Sequence, residues 1–139
     1  MTITQSPERW IVRTLLALIY AYVGYRHLLA PEFFLPIVPG WVPEPRLVVL
    51  ATGVCEITGA VALMTGRLRY AAGIMLALYA VSVYPANIKH ALDGVAIGGS
   101  KLGWGYHGPR LAFQPIFVWW ALFAGGVIDW PFGQRRALK

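Results

Sequence analysis

Four apolar stretches, each about the 20 residues that a helix needs to cross a bilayer, divide this chain, and polar, proline-rich or glycine-rich segments separate them. The first covers residues 10–29 and follows a polar start in which Ser6 and Pro7 form a cap and first-turn pair. Segment 31–46 then carries five prolines in sixteen positions, which forbids regular helix because proline lacks the amide donor and clashes with the preceding turn. It is nonetheless greasy, with Phe33, Phe34, Leu35, Ile37, Val38 and Trp41. The expectation is a loop that lies on the interface or folds back over the mouth of a helix bundle. The second helix is expected over 47–65, a short turn over 66–69, and the third helix over 70–92. Pro85 inside the third predicts a kink and a freed carbonyl near Val81, satisfied by a neighbouring helix. The glycine-rich segment 93–109 reads as a flexible connection ended by Pro109. The fourth helix follows over 110–130, stopped by Pro131 before a basic tail with Arg135, Arg136 and Lys139.

Composition sharpens this pattern. Apolar residues make up 58% and charged residues 13%, against about 25% charged in a soluble domain. The six Trp and seven Tyr suit bilayer interfaces, where a ring can keep its body in hydrocarbon and its polar edge in water. The length of 139 residues leads to a single domain over 1–139. The first apolar stretch exceeds a signal-peptide core and no small-residue cleavage site follows it, so it reads as a retained span. The predicted fold is therefore an all-α membrane protein, a bundle of four transmembrane helices embedded in the inner membrane as a multi-pass protein. An even number of spans puts both termini on one side. Arg9, Arg13, Arg67, Arg69, Arg135, Arg136 and Lys139 would share that side, against Arg26, Arg46, Lys89, Lys101 and Arg110 on the other. The positive-inside rule makes the first side cytoplasmic. The net charge of +6 is accounted for by these flanks, and without an amphipathic basic helix the chain is not expected to bind nucleic acid. Cys55 is the only cysteine, which leaves no internal disulfide or paired-cysteine metal site. Small residues, Ala17 and Ala21, Gly53, Gly59 and Ala60, Gly73 and Ala77, Ala121 and Gly125, recur where helices in lipid would pack closely.

Ionisable groups inside spans cost roughly 2.5 to 3.5 kcal/mol each on insertion scales, so each needs a partner or a purpose. Glu56 lies about 14 Å into the second helix at 1.5 Å per residue. His27 ends the first helix, Asn87 and His90 end the third, and Arg110 with Gln114 open the fourth, all on one side of the bundle. Asn87 and His90 are three apart and Arg110 and Gln114 four apart, so each pair shares a helix face. The expectation is a polar cavity in the outer half, with His27, Glu56, Asn87, Arg110 and Gln114 as its ligand-binding residues, roofed by segment 31–46. Two readings stand side by side. In one, Glu56 and Arg110 form a structural ion pair, with His27, Asn87 and Gln114 as hydrogen-bonding glue. In the other, the groups form a ligand or proton-handling site whose titration is tuned by low dielectric. Arg26 and Lys89 are expected to reach for lipid headgroups. No metal site is expected: the three histidines show no ligand spacing, and His107 falls in the glycine-rich connection. A haem held between His27 and His90 is a weaker alternative.

The strings Gly24-Tyr25-Arg26-His27-Leu28, Pro31-Glu32-Phe33-Phe34, Gly53-Val54-Cys55-Glu56-Ile57 and Tyr84-Pro85-Ala86-Asn87-Ile88, followed by Arg110-Leu111 and Gln114, resemble the DoxX family of small bacterial membrane proteins over about residues 10–128. That resemblance implies a four-helix membrane protein and places the family pattern on His27, Glu56, Asn87, Arg110 and Gln114. Some members of that family are linked to membrane redox complexes, and with the buried titratable cluster this leads to the expectation of a redox-linked protein whose cavity binds a quinone-like or other small hydrophobic ligand, with a membrane redox partner or self-association. The alternative is a non-enzymatic membrane subunit or assembly factor, whose greasy loop and helix surfaces bind a partner protein.

Overall fold

The computed structural model describes residues 7–96 and 99–131. The expected Ser6 cap and the basic tail of Arg135, Arg136 and Lys139 lie outside the described residues. Within them the chain is all-helical, with five α-helices: α1 (Pro7–Leu29), α2 (Pro45–Met64), α3 (Arg69–Ser82), α4 (Tyr84–Asp93) and α5 (Trp104–Gly125). The connection between α1 and α2 holds two short 3-10 turns, Pro31–Phe33 and Leu35–Ile37.

Two expectations about the elements are corrected. The third helix is two helices, separated at Val83. Pro85 cannot continue the ladder of α3, but a proline is tolerated in the first turn of a new helix, and there it stands in α4. The glycine-rich segment is only partly a loop. Residues 104–109, including Gly105, Gly108 and Pro109, form the beginning of α5. Pro109 removes the donor for the Gly105 carbonyl, and Gly105 is exposed.

Buried positions on α2 run Val49, Gly53, Glu56, Ala60 and Leu63, alternating steps of four and three that hold one stripe against neighbouring helices. Leu16, Ala17 and Tyr20 of α1, Ala72, Leu76 and Ala77 of α3, and Ala121 and Ala124 of α5 complete the core. The helices associate as two principal pairs, α1 with α2 and α3 with α5. Glycine sets both crossings. A Cβ on Gly24 would stand 2.8 Å from the Gly53 carbonyl oxygen, and one on Gly53 would stand 2.9 Å from the Gly24 carbonyl oxygen. At the other crossing, a Cβ on Gly125 would come within 2.7 Å of the Gly73 Cα and of the Arg69 carbonyl oxygen. Backbones this close leave room for hydrogen alone.

Two stretches, Pro45–Met64 and the broken rod Arg69–Asp93, are long and apolar enough to cross a membrane, with mean hydropathies of 2.0 and 1.5. Among the described residues α1 and α5 fall short of that measure. Glu8, Arg9, Arg13 and Arg26 dilute α1, and α5 is rich in glycine, proline and tryptophan.

Candidate functional site

Where the two helix pairs diverge, they leave a cavity of about 540 Å³, within the range of small-molecule sites. Its walls are largely apolar, with Val23, Phe34, Val49, Phe113 and Phe117 among them. The proline-rich connection supplies Ile37, Val38, Pro39, Trp41 and Val42, so this segment folds back over the cavity rather than trailing in solvent. Its two 3-10 turns allow that path: each has a proline at its first or second position, and the amides of Phe34 and Val38 close back on the Pro31 and Leu35 carbonyls. Lys89 fastens the segment from α4 by donating to the Pro36 carbonyl at 2.6 Å. That corrects the expectation that Lys89 reaches for headgroups. Arg26 donates to the Tyr22 hydroxyl at 3.2 Å.

All five sequence-predicted residues line this cavity, but they divide into two groups. The first is centred on Glu56, 3% exposed. His27 Nδ1 donates to its Oε2 at 2.6 Å and the Tyr79 hydroxyl donates to its Oε1 at 2.7 Å. An ionised carboxylate only accepts, so two donors on its two oxygens leave it satisfied. The Gly24–Gly53 crossing brings these groups together. His27 lies three residues beyond Gly24 and Glu56 three beyond Gly53, so each points across the seam from the adjoining turn. Phe34 stands edge-on to the His27 ring, with centroids 4.1 Å apart. Tyr20 meets both Tyr79 and Phe117 edge-on, at 6.0 and 6.4 Å, and forms an aromatic floor.

The second group spans α4 and α5. Asn87 Nδ2 donates to Gln114 Oε1 at 3.0 Å, and Gln114 Nε2 donates to the Ala80 carbonyl. Ala80 lies in the last turn of α3, which stops at Ser82 after the Val83 amide has closed on the Tyr79 carbonyl. The acceptor met by α5 is therefore the Ala80 carbonyl, the neighbour of the Val81 carbonyl that Pro85 was expected to free. Pro115 similarly deprives the Leu111 carbonyl of its helical donor, and the Tyr84 hydroxyl lies 3.5 Å from it.

Arg110 does not pair with Glu56, which removes the structural ion pair from consideration. Its Nη1 instead lies 2.7 Å from His90 Nδ1. A guanidinium has no lone pair, so His90 Nδ1 accepts and the imidazole is neutral, with its proton on Nε2. Nor do His27 and His90 pair with each other: the Nδ1 atom of one meets Glu56 and that of the other meets Arg110. His107 is not in a loop but buried in α5, its ring 4.6 Å from that of His90. Among the described residues, His90 Nε2 and both His107 ring nitrogens are buried without hydrogen-bond partners. Among the described residues no group of three or more His, Cys, Asp or Glu could hold a metal ion.

Sequence reasoning missed Tyr79 and His107. Tyr79 follows Leu76 by three on the buried face of α3, a signal that could have placed it opposite Glu56. His107 was hidden because glycine and proline mask the start of α5.

No match exists among curated proteins or among solved structures. The resemblance to DoxX is overturned: the strings that carried it fall inside a segment that matches a different family. Over residues 16–125, from the buried Leu16 of α1 to the last residue of α5, the chain matches, and belongs to, the family described as a domain of unknown function, DUF8561.

Proposed function

We propose that this chain is a multi-pass membrane protein that binds a small hydrophobic ligand bearing oxygen atoms in the cavity between its two helix pairs. In this reading α1, α2, the broken α3–α4 rod and α5 are four spans of the inner membrane with both termini cytoplasmic, and 1–139 forms one domain. The support is the outward-facing surface. Leu18, Val54, Val61, Leu78 and Phe113 are each at least half exposed, and they lie on all four rods. Only 33% of each of the two apolar windows is buried, the reverse of a core helix in a soluble protein. Arg9, Arg13 and Arg69 gather at one end with residues 124–129, while Arg46, Lys89 and Arg110 stand at the other with the covering loop. Cys55 tests the span: it is exposed on α2 and should resist a charged maleimide in sealed vesicles and react after detergent is added. Full labelling in intact vesicles would remove the membrane reading.

The observation that carries the ligand reading is Glu56, buried and doubly hydrogen-bonded on the wall of a largely apolar cavity. A carboxylate at that depth is costly, and packing alone does not call for one. The loop turns Phe34, Ile37 and Val38 inward, which favours an internal ligand over a docking surface for a partner protein. A short-chain benzoquinone is a neutral probe of the oxygen-bearing class. Native mass spectrometry of protein extracted with its lipids should find a bound small molecule, and the quinone should raise the melting temperature of wild type more than that of E56Q. A cavity that releases no molecule and stabilises with no probe would defeat the ligand reading.

A further inference from the structure

Of the polar groups on the cavity wall, most are already engaged. Both Glu56 oxygens accept hydrogen bonds, His27 Nδ1 is committed to one of them, and the Gln114 amide uses its oxygen on Asn87 and its nitrogen on Ala80. Arg110 is different. Its one hydrogen bond among the described residues is to a neutral imidazole, and its remaining contact is the face of Tyr106 at 5.7 Å. The other described carboxylates with partners are spent elsewhere: Glu32 on Arg46, Asp93 on Lys89 and Asp129 on Arg9. His90 therefore holds the guanidinium in place without cancelling its charge, and four of its five N–H groups meet no acceptor among the described residues. A full positive charge on the wall of an apolar chamber favours an anion, because desolvation strengthens the attraction between them.

Resting on the ligand reading above, we propose that the cavity holds a hydrophobic anion: a single carboxylate or phosphate head paired with Arg110, and a hydrocarbon or aromatic body along Val23, Val49, Phe113 and Phe117. The planar fork of arginine offers two parallel donors to such a head. The apolar walls then take the body, which a small inorganic anion lacks.

The test compares two ligands that share a chain and differ in charge. Full-length protein in phosphatidylcholine nanodiscs is titrated calorimetrically with decanoate and with decanol, each corrected for partitioning into empty discs. Decanoate should bind wild type at least about tenfold more tightly than decanol. R110Q should erase that ratio and R110K should retain part of it, which keeps the outcome readable if the glutamine variant folds poorly. Equal binding of the two ligands, or a preference that survives R110Q, overturns the anion assignment while leaving a ligand site in place. Binding of neither, nor of the quinone, overturns both readings. In discs that contain phosphatidylglycerol, unchanged decanoate affinity supports a free acid as the source of the head. Loss of decanoate binding there, with phosphatidylglycerol retained on extraction, supports a lipid phosphate as the same anion.

Discussion

The two glycine crossings are built alike and placed differently. Gly24 meets Gly53 beside the cavity, one turn from His27 and Glu56, whereas Gly73 meets Gly125 far from it, against the backbone of Arg69 and Ala121. Both bring two helix backbones into contact, and in lipid such packing is a principal source of helix association. Only the first also sets the spacing of titratable groups. A small-residue contact can thus serve cohesion at one place and geometry at another, and the two roles separate under mutation.

The largest effect should come from the remote crossing. G125A puts a methyl 2.7 Å from two backbone atoms that cannot rotate away. It should cost about 3 kcal/mol, at the upper end of overpacking, seen as a lower unfolding midpoint by circular dichroism in mild detergent. The fraction that remains folded should bind ligand as wild type does. G24A should cost somewhat less, about 1–3 kcal/mol, since two of its three near contacts are side-chain atoms of Glu56 and Ile57. Its folded fraction should lose ligand affinity, because α1 must move away from α2 and carry His27 from Glu56. Identical binding by the two folded fractions would show that the crossings do not differ in role.

Below these comes E56Q, which sets an amide against two donors where a carboxylate had accepted both. A destabilisation of about 1–3 kcal/mol is expected, the cost of an unsatisfied buried group, with Y79F at the lower end of that range. Equal stability of E56Q and wild type would mean that the Glu56 group adds nothing to the α1–α2 seam. The smallest effect belongs to the exposed loop. The backbone amide of Glu32 and then Arg46 hold the Glu32 carboxyl below its ordinary value of 4.5. Because the folded value is the lower one, its contribution is present at neutral pH and fades as pH falls through the folded value. Amide protection factors in residues 31–38, corrected for the intrinsic pH dependence of exchange, should fall on acidification in wild type and lose part of that response in E32Q.

Much of this arrangement was legible in the sequence, and the reasons are specific. The depth of Glu56 in the apolar run 47–65 announces a carboxylate that must face inward, and alternation of helix direction then carries His27, Asn87, Arg110 and Gln114 to the same end. What spacing cannot give is pairing. Arg110 and Glu56 attract each other on paper, but His27 meets Glu56 through a crossing whose depth depends on Gly24, and Arg110 is left to His90. The start of α5 was obscured for a different reason. Local signals at Gly105, Gly108 and Pro109 argue for a loop, while burial of His107 against His90 favours helix there. Tertiary packing overrode propensity, as it commonly does where side chains find a buried face.

Gln114 gives the break in the third rod a mechanical meaning. One end of its amide is fixed to the backbone of α3 and the other to Asn87 of α4, so α5 splints the two pieces from outside. The bend angle is then set by the length of a single side chain. Glutamate at 114 would lack the donor for Ala80, and asparagine would stop one methylene short of it.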